Sequence, residues 1–242
     1  MRVDRTSYGE AAGQVLEWAR HGESRYVAVA TVNNVMEAYD SAEFRRIMNQ
    51  ADLVTPDGMP LVWGLRLLGA PNATRVYGPL LTPAVLAGAA RAGVPVAFYG
   101  GSADVVKELA AVAGRRFPGL EVAYAVSPPF RPLTEGEDAA IVSEICESGA
   151  RIVFVGLSTP KQEHWMASHR GRIPAVMLGV GAAFDFLTGA KRQAPFWMQA
   201  GGLEWLFRLA TEPRRLWRRY LRHNPRFAAL FAMQLFERRF SG

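Results

Sequence analysis

The chain has 242 residues, half of them apolar, and one cysteine, which is enough for one large core and excludes an internal disulfide and a cysteine-built zinc site. No window reaches the roughly 18 consecutive apolar residues of a membrane span, and no apolar run follows Met1–Thr6, so neither a transmembrane segment nor a secretory signal is expected. The net charge is +6, yet nine arginines against only Glu212 and Glu237 fall between Arg208 and Arg239, so the basicity is local and the rest of the chain is nearly neutral.

In chain order, residues 7–21 have the apolar spacing of an amphipathic helix, with Ala12, Val15, Leu16 and Ala19 on one face. Arg25–Thr31, with the apolar run Tyr26–Ala30, is a buried strand, 35–50 a helix, and Leu53-Val54 a second strand. A short apolar helix over Pro60–Leu68 is stopped by Gly69 and Pro71, and another runs over about 79–92. The strand Val94–Tyr99 leads through Gly100-Gly101-Ser102 into a helix ending near Phe117. The strand Glu121–Val126 leads through a proline-rich loop (127–132) into a helix over 134–148, which opens with a Thr134/Glu137 capping box and carries Cys146 as a small buried hydrophobe. Ile152–Val155 meets a turn at 156–163 and a helix, with Thr159 as its cap and Pro160 in its first position. Ala175–Leu178 meets Gly179-Val180-Gly181 and a short helix. From Pro195 onward only helices are expected, broken at Gly201-Gly202, Pro213 and Pro225. Strands alternating with helices predict an α/β fold: a Rossmann-like, mostly parallel sheet flanked by helices over 1–194, with a helical, arginine-rich appendage over 195–242.

Three strand-to-helix turns, at Gly100-Gly101, Gly156–Lys161 and Gly179–Gly181, combine small residues with a helix start. That pattern lets a phosphate approach backbone N–H groups, although such turns also occur without ligands. No Walker-type run is present. The Gly179-Val180-Gly181 sequence begins a dinucleotide fingerprint that Phe184 does not complete, and no Tyr-x-x-x-Lys pair supports a dehydrogenase. Asp57, between Pro56 and Gly58 after a strand, is either a general base at the crevice or a brace for its turn. Asp52 ends a helix at the surface. Asp185 binds a base or ribose, or caps a helix. The four histidines show no metal-ligand spacing and read as surface or helix residues.

In the tail, Arg214, Arg218 and Arg222 recur at i, i+4 and i+8, with Trp217, Tyr220 and Phe227 on other faces. This is the pattern of a helix lying on an anionic bilayer, and equally of a subdomain docked by its aromatics with solvated arginines. Nucleic-acid binding is disfavoured because no recognised nucleic-acid module accompanies the tail.

The ordered motifs T-x-N (31–33), A-D-x-x-x-P-D-G (51–58), F-Y-G-G (98–101), G-x-S-x-P-K-Q-E-x-W (156–165), G-V-G-x-x-F-D-F-x-x-G (179–189), R-Q-A-P, G-L-E-W and E-P-R-R-L-x-R-R-Y closely resemble the WecG/TagA/CpsF family of bacterial glycosyltransferases. The resemblance runs from Thr31 to Tyr220. It implies metal-independent, inverting transfer of a hexose or N-acetylhexosamine(uronic acid) from a UDP-sugar donor to a polyprenyl-diphosphate-linked acceptor in cell-envelope or exopolysaccharide synthesis, with no cofactor. It assigns catalysis to Asp57 as base, with Thr31, Asn33 and Gln162 around it. It assigns substrate binding to Gly100, Gly101, Gly156, Lys161, Gly181, Asp185 and the tail arginines Arg214, Arg218 and Arg222. It implies a protein in the cytoplasm, peripheral on the inner face of the plasma membrane, with homo-oligomer formation left open and no nucleic-acid partner. Leu80 departs from the family pattern, which has an acidic residue after Gly78-Pro79. The competing class is a non-catalytic nucleotide-sugar or lipid-binding protein that uses the same crevice as a sensor.

Overall fold

The computed structural model describes residues 1–240; Ser241 and Gly242, the end of the expected appendage, lie outside the described residues. Six strands form one parallel sheet: β1 (Arg25–Ala30), β2 (Leu53–Pro56), β3 (Val96–Gly100), β4 (Val122–Val126), β5 (Ile152–Gly156) and β6 (Val176–Gly179), in the spatial order β2-β1-β6-β5-β3-β4. The strands are continuous apolar runs because helices cover both faces. One face buries Val27, Phe98 and Phe154 under α1 (Tyr8–Arg20), α5 (Gly78–Ala92), α6 (Ala103–Arg116) and α9 (Ala183–Leu187). The other buries Ala28, Val54 and Val153 under α2 (Val32–Asp40), α3 (Ala42–Gln50), α4 (Met59–Leu67), α7 (Glu135–Glu147) and α8 (Lys161–His169). The neighbouring strands β5 and β6 therefore send their helices, α8 and α9, to opposite faces. A crevice opens at their carboxyl ends, where open α/β sheets place ligands.

Several expected elements shift. The helix expected over 35–50 is two helices that meet at Ser41, whose hydroxyl accepts from the Phe44 N–H (3.1 Å) and caps α3. The first of them begins at Val32, so Thr31 is the N-cap of α2. Thr159 does not cap α8; Pro160 occupies that position, and the Thr159 hydroxyl donates to the Glu163 carboxylate instead (2.8 Å). Asp52 is not a surface residue. Its side chain is nearly buried, accepts from the Tyr26 N–H (3.0 Å), and pairs with Arg25 (2.7 Å) and Arg170 (2.8 Å). Cys146 is half-buried rather than buried. His169 and His223 are buried within helices. The capping box at Thr134 and Glu137 is present.

After Pro195 come α10 (Phe196–Ala200), α11 (Glu204–Thr211) and α12 (Pro213–Phe240). Gly201-Gly202 and Pro213 fall between helices as expected, but Pro225 does not break α12. A proline there forfeits one helical hydrogen bond, but Leu216 and His223 before it are buried against the core and further contacts follow it. Arg226 pairs with Asp40 of α2 (2.7 Å), Arg238 donates to the Leu68 carbonyl (2.8 Å), and the Phe231 ring lies 3.3 Å from where a Cβ on Gly64 would stand.

Candidate active site

Two cavities open at the carboxyl edge of the sheet. The first, of about 580 Å³, lies over the ends of β3, β5 and β6, with the proline-rich loop on its far side. Its floor is bare backbone. Gly100 has φ +113°, and a Cβ on it would lie 2.8 Å from the Gly156 carbonyl carbon; the Gly101 N–H donates to that same Gly156 carbonyl (3.2 Å). Only glycine allows the two strand ends to meet so closely. Gly101, Gly156, Gly181, Lys161 and Asp185 line this cavity, so five of the residues singled out in the sequence converge here. Gly100 is one step below the floor. Lys191 and Arg215 also line it. Lys191 Nζ lies 2.8 Å from Asp185 and Arg215 lies 2.6 Å from Glu212, which makes a rim of cations. Deeper in, the Trp165 ring stacks between Tyr99 (4.3 Å) and His169 (4.1 Å), and its buried Nε1 has no partner.

The second cavity, of about 840 Å³, lies beyond the ends of β1 and β2 and is closed by α11 and α12. Thr31, Asn33 and Asp57 line it together, as the sequence motifs implied. Arg75, Glu204, Arg208 and Arg219 join them, and Trp63, Leu67, Trp205, Phe227 and Phe231 form an apolar wall. Arg75 bridges two carboxylates: its Nη2 is 3.1 Å from Asp57 and 2.5 Å from Glu204, its Nε donates to the Asp57 carbonyl, and its guanidinium covers the Tyr77 ring at 4.1 Å. Burial pushes the Asp57 carboxyl up to about 6; the Arg75 charge opposes the shift and the Glu204 charge adds to it. A carboxylate poised there can accept a proton near neutral pH. Arg208 and Arg219 each bury an Nε without a partner. Burial lowers the Arg219 guanidinium from its ordinary value, and the nearby Arg208 and Arg215 charges add to this. Such a pair of cations is suited to an anion that this cavity receives.

Gln162 lines neither cavity. It is buried beside the Gly179–Gly181 turn, donates to Glu163 Oε1 (3.2 Å), and leaves its own Oε1 unpartnered. Arg214, Arg218 and Arg222 line neither cavity: they are exposed, with Arg218 over the Trp217 ring (5.3 Å) and Arg222 3.7 Å from Asp40. Among the described residues, the arginines of α12 that reach the cavities are Arg215 and Arg219, one residue further on and so on the neighbouring stripe of the helix. Arg75, in an irregular loop, carried no sequence signal. Glu204 lay within the G-L-E-W motif and Arg208 within the basic tail, but nothing in either run marked them out. Leu80, the position that departs from the family pattern, is exposed and lines neither cavity.

Among the described residues, no group of three or more His, Cys, Asp or Glu side chains is arranged to hold a metal ion, and no helix is long and apolar enough to cross a membrane. A family model described as "Glycosyl transferase WecG/TagA/CpsF family" matches residues 1–241. The chain belongs to that family. It is 32% identical over 197 residues, 81% of this chain and 74% of the other, to an N-acetylglucosaminyldiphosphoundecaprenol N-acetyl-beta-D-mannosaminyltransferase of Bacillus spizizenii. Family membership makes this a glycosyltransferase, and the motifs that resembled the family in the sequence supply residues to both cavities.

Proposed function

We propose that this enzyme transfers an N-acetylhexosamine, of the N-acetylmannosamine type, from a UDP-sugar to N-acetylglucosamine carried on a polyprenyl diphosphate, with inversion and without a metal, as a step in cell-envelope polymer synthesis. The observation that carries the reading is the pairing of two unlike cavities at one sheet edge. The glycine-floored cavity suits the nucleotide: Lys161, Lys191 and Arg215 take the diphosphate of the donor and offset the charge on departing UDP. The larger cavity suits the acceptor. Asp57 removes the proton from the attacking sugar hydroxyl as its oxygen bonds to C1 of the donor, and the bond from C1 to UDP breaks on the opposite face. Arg208 and Arg219 face the lipid diphosphate, and the aromatic wall takes the first isoprene units. The name of the Bacillus relative describes the same donor sugar and the same class of acceptor, with a beta product.

In this reading residues 1–194 are the catalytic core and 195–242 an appendage that both completes the acceptor cavity and rests on the membrane. The appendage carries exposed Phe196, Trp197, Leu206 and Phe236 together with exposed arginines, a surface that fits an anionic leaflet on the cytoplasmic side. The test is direct. Incubation of the purified chain with UDP-N-acetylmannosamine and a short-chain prenyl-diphosphate-linked N-acetylglucosamine should yield the disaccharide lipid and UDP in equal amounts. Binding of both substrates without turnover would make the protein a sensor instead.

A further inference from the structure

Asn34 and Glu163 were not among the residues that the sequence motifs singled out for chemistry, yet together with Thr159, whose hydroxyl also accepts from Asn34 Nδ2 (3.2 Å), they link the turn after β5 to Thr31 in the acceptor cavity through side-chain hydrogen bonds. Glu163 is fully buried. Its Oε1 accepts from Thr159 Oγ1 (2.8 Å), Asn34 Nδ2 (2.9 Å) and Gln162 Nε2 (3.2 Å), while Oε2 has no partner. Asn34, also buried, accepts at Oδ1 from both the N–H (3.0 Å) and the hydroxyl (2.8 Å) of Thr31.

The orientation of the Asn34 amide is therefore determined from two sides. Turned over, its oxygen would face the Glu163 carboxylate and its NH₂ would face the Thr31 N–H, an acceptor against an acceptor and a donor against a donor. With the amide held this way, the Thr31 hydroxyl hydrogen is committed to Asn34, and the lone pair of Thr31 that does not face the Asn34 backbone N–H in the capping box of α2 is left for the cavity. The Asp57 carboxylate is a further acceptor in the same cavity.

We infer that Glu163 is a positioning residue: through Asn34 it makes Thr31 a hydrogen-bond acceptor, so that the mouth of the acceptor cavity grips the hydroxyl and amide N–H groups of the acceptor sugar beside Asp57. This rests on the reading that the larger cavity takes the acceptor. Asp57 remains the base and Glu163 touches no reacting atom. Burial of Glu163, with one carboxylate oxygen unpartnered, is a destabilising arrangement that has a use if it sets the polarity of a binding surface.

The experiment is a double-mutant cycle between Glu163→Met and Thr31→Val, read as kcat and KM for donor and acceptor, with thermal unfolding to establish folding. Each single change should lower kcat/KM for the acceptor about 10-fold or more and shift the donor KM by less than about 3-fold, and the double variant should be no slower than Glu163→Met alone. Glu163→Gln should rescue turnover, because an amide oxygen takes the same three donors. Losses that multiply in the double variant, or Glu163→Met turning over at the full rate, would overturn the inference. If Glu163→Met does not fold, Asn34→Leu severs the same link and replaces it in the cycle. A wild-type chain that transfers nothing would overturn the functional reading, whereas a transferring wild type with additive losses would overturn this inference alone.

Discussion

Asp57 and Glu204 share one guanidinium. Arg75 lies 3.1 Å from the first carboxylate and 2.5 Å from the second, so the loop after β2 and the C-terminal helices are tied together at the base of one cavity. The ionisation of Asp57 thereby depends on a residue more than a hundred positions away in sequence.

The first expectation follows from this coupling. A general base acts unprotonated, so kcat/KM should rise with pH through about 6, the value to which burial pushes Asp57. Glu204→Gln removes a charge that raises Asp57 and should move that limb to lower pH; Arg75→Met removes one that lowers it and should move the limb up. Asp57→Asn should reduce turnover about 10²–10⁴-fold at unchanged UDP-sugar affinity. A pH–rate profile of the four proteins checks the limbs and the loss of turnover, and calorimetry with the UDP-sugar checks the affinity of Asp57→Asn.

The same shift has a sign for stability. The folded carboxyl lies above its ordinary 3.8, so the ionised form is disfavoured by folding. Stability should therefore fall as pH rises from about 4 to about 6 and then level off. Asp57→Asn should be more stable than the wild type at pH 7.5 in urea unfolding, and the difference should vanish near pH 4.

The cations should divide by substrate. Arg215→Ala and Lys191→Ala should raise the donor KM about 10- to 100-fold, and Arg208→Ala and Arg219→Ala should do so for the acceptor, on the scale of a lost charged hydrogen bond. Calorimetry with UDP separates the two groups, since only the first should weaken it. EDTA should leave transfer intact; a strict divalent-metal requirement would contradict charge compensation by these residues.

The exposed arginines should act at the membrane. Changing Arg214, Arg218 and Arg222 together to Ala removes about 1 kcal/mol each of attraction to acidic headgroups, so partition onto anionic vesicles should fall about 100-fold in a sedimentation assay. Transfer to a short-chain acceptor in solution should fall by much less.

Gly100→Ala should be costly. The backbone sits at φ +113°, and the new Cβ would meet the Gly156 carbonyl carbon at 2.8 Å. Strain plus displacement of the β5 end should cost at least about 2 kcal/mol in urea unfolding and weaken UDP binding with it.

Much of this molecule is decided locally. Apolar runs such as Tyr26–Ala30 and Ile152–Val155 placed strands because burial on both faces requires continuous apolar sequence, and Gly100, Gly156 and Gly181 marked the turns that became a cavity floor because only they tolerate such close backbone approach. Thr31, Asn33 and Asp57 could be picked out for the same reason: each follows a buried strand that ends at one edge of a parallel sheet. The sequence did not carry what depends on how elements dock. Helical spacing grouped the tail arginines into stripes, but which stripe faces inward follows from Leu216 being buried and from Arg226 meeting Asp40, contacts with residues far away in the chain. Those contacts brought Arg215 and Arg219 to the cavities and left Arg214, Arg218 and Arg222 in solvent. They also carried α12 through Pro225, since packing on both sides outweighs one lost hydrogen bond. Arg75 and Asn34 were invisible for the corresponding reason. A loop arginine and a second asparagine acquire a role only when folding sets Asp57, Glu204 and Glu163 against them, and pairings across such distances are set by tertiary packing rather than by any local pattern.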